Sequence, residues 1–131
     1  METYPCEYLT QLEALYLWQL AEENFVELQE DKKMQSVEAL SMERPARSRL
    51  NRALELLYST NPKTYHDVVA VMWFGRDENS SYSLLRNNAR NENHTNYVIE
   101  KGPELHVYLK KALMKFGMKP LHKIIGSHYP S

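Results

Sequence analysis

The stretch "VVAVMWFGRDENSS", Val68 to Ser81, decides how this chain folds. An apolar run with a Trp and a Phe ends at Gly75-Arg76, and acidic and polar residues follow at once. Its β-branched valines suit a buried strand. A strand needs a partner, and the chain offers no second strand to pair with it. The stretch is therefore read as a helix, capped near Thr64, that buries Val68, Val69 and Met72. Gly75 falls where a left-handed C-terminal cap belongs, because a helix commonly ends on one residue at positive φ. Trp73 and Met72 supply core volume. Arg76 then either bonds the last free carbonyls of the helix or reaches an acid on the first helix.

Working outward toward the N-terminus, Pro45 suits a first helical position, and Leu50, Ala53, Leu54, Leu57 and Tyr58 form an apolar stripe at helical spacing. "STNP" at 59–62 breaks it. An earlier helix is expected from about Pro5, with Thr3 as its cap, to about Gln29. Its stripes are Tyr8, Leu12, Leu15 and Leu17, Ala21, Phe25, Leu28. "MQSVEAL", Met34 to Leu40, reads as a short helix or a loop. Toward the C-terminus, Ser80 or Ser81 caps a weak helix to about Asn91, and "TNYVI" adds a turn or two ended by Gly102. Pro103 opens a further helix carrying Leu105, Tyr108, Leu109, Ala112, Leu113 and Phe116, stopped by Gly117. Residues 118–131 have two prolines and no periodicity, which predicts an extended or partly disordered tail. The expectation is an all-α fold, one domain over residues 1–131, with about five to six helices.

Bulk properties bound the function. At 131 residues and 43% hydrophobic, the chain can bury one core and is too apolar for a disordered protein. The lone Cys6 excludes an internal disulfide and suits a reducing compartment. No segment approaches the roughly 20 apolar residues of a membrane span. No basic region followed by an apolar stretch opens the sequence, so a cytoplasmic location is expected. The net charge of −1 hides an uneven layout: residues 1–43 hold ten acids against Lys32 and Lys33, and residues 44–131 hold fourteen Lys and Arg against seven acids. Either the acidic first helix packs beside basic neighbours of the same molecule, or this polarity steers a partner.

At "VVAVMWFGR" the chain resembles a small bacterial and phage family, the domain of unknown function numbered 3775. The resemblance is carried by Val69, Ala70, Val71, Met72, Trp73, Phe74, Gly75 and Arg76. A second cluster adds Tyr97, Val98, Ile99, Pro103, Tyr108 and Leu109, closing with Leu113 and Gly117. It spans roughly residues 65–117. The chain departs from the family in following Gly-Arg with "DENSS", where a Gly-Asp turn is usual. The family has no assigned activity to carry over. The resemblance implies a bacterial or phage setting, in which an accessory or inhibitory role suits a protein of this size.

Candidate binding residues are Arg44, Arg47, Arg49 and Arg52, at the start of a helix, with Trp73 and Arg76. Such arginines contact phosphates, and a helix N-terminus adds positive potential. They equally suit ion pairs with the acidic first helix, and a pI of about 6.5 lies far below that of a typical nucleic-acid binder. His66, His94, His106, His122 and His128 lack metal-ligand spacing, so no metal is expected, and His66-Asp67 reads as capping chemistry. No phosphate loop, nucleophile elbow or paired-cysteine motif occurs, so no catalytic residue and no cofactor is assigned. Nine tyrosines with many arginines are the composition of binding surfaces. Three readings follow. The first is a non-enzymatic helical protein acting through a protein partner or self-association. The second is a binder of nucleic acid or an anionic small molecule through the arginines. The third is an enzyme with a pocket at Trp73, Arg76 and His106.

Overall fold

The computed structural model describes residues 3–34, 44–77, 79–94, 96–100 and 104–120. Among them run six α-helices and no strand: α1 Gln11–Met34, α2 Pro45–Thr60, α3 Pro62–Arg76, α4 Tyr82–Ala89, α5 Asn96–Ile99 and α6 Leu105–Lys115. The fold is all-α, and Val68–Phe74 lies inside its central helix.

Local chemistry explains where each helix begins. Thr10 and Glu13 form a reciprocal capping box: Glu13 N donates to Thr10 Oγ1 at 3.1 Å, and Thr10 N donates to Glu13 Oε1 at 2.9 Å. The first helix therefore starts at Gln11 and not near Pro5, and it runs on to Met34. Leu12, expected in the apolar stripe, is 61% exposed, and the buried stripe is Ala14, Leu17, Trp18 and Ala21. The third helix is capped by Asn61, whose side chain accepts from Lys63 N, with Pro62 at the first position; Thr64 lies inside it. Ser81 caps α4 through Leu84 N, which confirms one of the two expected serines. The "MQSVEAL" segment beyond Met34, Gly102, Pro103 and residues 121–131 lie outside the described residues.

Gly75 is the main correction. The helix does not end on it in a left-handed cap but continues through Arg76 to an extended Asp77. Glycine is needed because α6 crosses there: a Cβ on residue 75 would lie 1.7 Å from the Tyr108 carbonyl oxygen. The positive-φ glycine is Gly117, at φ 81°. It closes α6 as a Schellman motif, with Met118 N donating to Leu113 O at 3.0 Å and Gly117 N donating to Met114 O at 3.0 Å.

α3 forms the centre, packed against α6, α4 and α2, while α1 lies against α2 and α6. Every residue from Thr64 to Phe74 except Trp73 is buried. Each large apolar side chain among them contributes about 1.5–3 kcal/mol on leaving water. Phe74 stacks on Phe116 of the chain following α6, with ring centroids 5.1 Å apart. Trp73 is half-buried and donates its Nε1 proton to the Tyr97 hydroxyl at 2.8 Å, which ties α3 to α5.

Candidate functional site

Three parts of the chain that are distant in sequence meet around Asp67. The buried start of α3 carries Asp67 and His66, α4 carries Tyr82 and Arg86, and residues 3–9 cross over both as an irregular segment. Asp67 is 1% exposed, and both its oxygens are occupied. Oδ2 accepts from Tyr8 N at 2.8 Å and Leu9 N at 2.9 Å. Oδ1 accepts from Arg86 Nε at 2.5 Å and from the Tyr82 hydroxyl at 3.5 Å. The carboxylate thus pins the N-terminal segment and one guanidinium at once. His66-Asp67 does not cap its own helix; Asp67 satisfies the backbone of another segment.

The surroundings reinforce this lock. Arg86 Nη2 donates to the Lys63 carbonyl at 3.3 Å, and Cys6 Sγ lies 3.2 Å from the Tyr82 hydroxyl. Tyr4 donates its hydroxyl to Leu9 O at 2.6 Å. Burial pushes the Cys6 thiol up to about 11, against the downward pull of the Tyr82 and Tyr4 hydroxyls beside it. The Tyr82 phenol is also pushed well above its ordinary range, first by burial and then by Cys6.

Outside the lock opens a cavity of about 590 Å³, a size that suits a small molecule. Lys63, Arg86 and Arg90 line it, with Asp67 and Glu7 as the acids. Arg86 offsets the charge of Asp67, and Lys63 and Arg90 together exceed the remaining acid, Glu7, by one. Arg90, the C-cap residue of α4, follows Arg86 by about one helical turn. Lys63 holds its ammonium 5.4 Å from the centroid of the Tyr8 ring, at the cavity wall. His66 also lines the cavity; it is 8% exposed, and its Nε2 has no hydrogen-bond partner among the described residues. Such orphans are uncommon in folded proteins.

The residues singled out by sequence are placed elsewhere. Arg44 is the N-cap residue of α2 and half-buried, and Arg47, Arg49 and Arg52 are exposed on that helix. Arg49 pairs with Glu23 of α1 at 3.9 Å. Glu27 accepts from Ala46 N at 2.9 Å and from Arg47 N at 3.4 Å, so an acid of α1 caps α2. A second concavity of about 310 Å³, between these helices, is lined by Glu22, Glu23, Glu27, Glu30 and Arg49. Arg76 pairs with the adjacent Asp77 at 3.8 Å. Lys115 instead reaches a last-turn carbonyl of α3, Phe74 O, at 2.7 Å and the carbonyl of the C-cap residue, Asp77 O, at 3.2 Å. His106 packs on Phe25 with ring centroids 4.4 Å apart. Neither concavity is lined by Trp73, Arg76 or His106.

Sequence reasoning missed Lys63, Arg86 and Arg90. One signal pointed toward them: Asp67 is an acid set inside a buried apolar run, and such a charge requires a partner. Among the described residues no group of three or more His, Cys, Asp or Glu side chains is placed to hold a metal ion, and no helix is long and apolar enough to cross a membrane. Comparison with family models gives no match, and comparisons with curated proteins and with solved structures give none. The role of each residue therefore rests on its geometry.

Proposed function

We propose that this is a non-enzymatic helical binding protein whose ligand is a small anion, held in the cavity between the N-terminal segment, α3 and α4. One observation carries the reading: Lys63, Arg86 and Arg90 line one concave space whose two acids are Asp67, paired with Arg86, and Glu7. Lys63 also stands in the first turn of the fifteen-residue α3, where the helix dipole favours negative charge. This keeps the anionic-ligand expectation and moves it from the arginines of α2, of which Arg49 pairs with α1, to Lys63, Arg86 and Arg90.

The test is thermal unfolding in phosphate, benzoate and citrate, each against sodium chloride at matched ionic strength. A bound anion raises stability by about 2.7 kcal/mol at a hundred times its Kd. The rise should saturate and be absent in the double variant Lys63→Ala, Arg90→Ala. General exclusion of such salts from the protein surface would act on both proteins alike. An equal response of the two contradicts the proposal.

Docking of a protein partner is the second reading, favoured by exposed Leu12, Val26, Leu56, Leu84 and Met114. These residues are spread over α1, α2, α4 and α6, and singly exposed apolar residues are ordinary on a protein surface. The cavity is the more specific feature.

A further inference from the structure

We infer that residues 3–9 act as a strap over the anion site, a device that rests on the anion-binding reading. The docked strap completes the cavity, and a bound anion and the docked strap stabilise each other.

The strap is attached to the body at few points. It has no helical or strand backbone, and among the described residues no backbone–backbone hydrogen bond joins it to the rest of the chain. Its backbone is held by one side chain, Asp67, whose Oδ2 accepts from Tyr8 N and Leu9 N. Leu9 is buried, the Tyr4 ring meets Phe116 edge-on with centroids 5.7 Å apart, and Cys6 lies against the Tyr82 hydroxyl. The helix that follows carries its own start, the capping box of Thr10 and Glu13, so α1 keeps its first turn when the strap lets go. Such a lightly held segment opens by itself, without unfolding the helices beneath it.

Strap and site share their parts. Pro5, Glu7 and Tyr8 line the cavity together with Lys63, Arg86 and Arg90. Asp67 holds the strap through Oδ2 and Arg86 through Oδ1, and the Lys63 ammonium stands over the Tyr8 ring. Release of the strap strips Oδ2 of its two N–H donors. The bare oxygen then draws Arg86 into the bidentate pair a carboxylate favours, which withdraws that guanidinium from the cavity. Lys63 loses the ring that fixes its ammonium. An anion therefore binds the docked state more tightly and shifts the strap toward it, and the coupling is reciprocal.

Amide hydrogen exchange of the full chain tests this, with sodium phosphate compared against sodium chloride at matched ionic strength. In chloride, the Tyr8 and Leu9 amides should be about tenfold or more less protected than those of Val69 and Val71 in α3. At ten times the phosphate Kd their exchange should slow about elevenfold, because only the docked strap leaves a site to bind. Alkylation of Cys6 by iodoacetamide should slow by a similar factor. Tyr4→Ala removes the contact with Phe116 and the bond to Leu9 O and is not part of the cavity wall. It should speed exchange and alkylation with the helical circular dichroism unchanged, and phosphate should restore the slow rates. Unchanged exchange at Tyr8 and Leu9, beside saturable phosphate-induced shifts at Arg86 and Arg90, overturns the strap and leaves the anion site standing. Faster exchange in phosphate overturns it too, since the charge of Glu7 then outweighs the wall the strap adds. Equal protection of strap and α3 in chloride shows that the strap does not open by itself, which also overturns the device. The absence of any saturable shift overturns both the strap and the anion site.

Discussion

A methyl group on residue 75 would meet the Tyr108 carbonyl at 1.7 Å, so α3 and α6 touch backbone to backbone there. Gly75→Ala should force the two helices apart and destabilise the protein by about 3 kcal/mol, read as a lower urea midpoint. A loss under about 0.5 kcal/mol, the size expected of an ordinary surface change, would contradict the close crossing. The sequence pointed to a glycine at this position, but for the wrong reason: a helix end and a helix crossing both demand one, and only the partner backbone tells them apart. Cys6 makes a second residue-level prediction. Its thiol is pushed up to about 11 by burial, whereas an unfolded cysteine ionises near 8.5. The fold therefore favours the protonated form, and this contribution to stability is lost as pH rises past about 8.5 toward the folded value. Alkylation by iodoacetamide at pH 8 should be roughly tenfold or more slower than in the urea-unfolded chain. Equal rates would show the thiol to be open.

At the level of the elements, α3 depends on α6 for its C-terminal end. Lys115 donates to the carbonyls of Phe74 and Asp77 and holds its ammonium 4.5 Å from the centroid of the Phe74 ring. Lys115→Met keeps the aliphatic stem and removes the donor, so stability should fall by about 1–2 kcal/mol in chemical denaturation. No change would mean that water replaces the ammonium at no loss. Helix existence was legible because stripes such as Leu50 and Leu54 are local and periodic. The start of α1 was legible as well, since Thr10 and Glu13 have capping-box spacing, yet Pro5 was the louder signal. Pro5 loses because the backbone of Tyr8 and Leu9 is held by Asp67, a contact that bridges 58 residues or more.

Across the whole molecule, the acidic N-terminal part and the basic remainder meet within the fold. Glu27 caps α2, and Arg49 lies beside Glu23. That ion pair is about half-exposed and contributes under about 1 kcal/mol, so it aligns the helices more than it holds them. The charge layout was visible in the sequence, but the cavity was not. Tyr8, Lys63 and Arg90 become neighbours only after α4 and the N-terminal segment pack on α3, and no spacing rule links them. The central claim is that the cations used for binding lie at this junction and not on α2. Mapping amide shifts by nuclear magnetic resonance during titration with phosphate tests it most directly. Saturable shifts centred on Lys63, His66, Arg86 and Arg90, and weakening with added salt, are the predicted result. Shifts centred on Arg47 and Arg52, or shifts that never saturate, would contradict it.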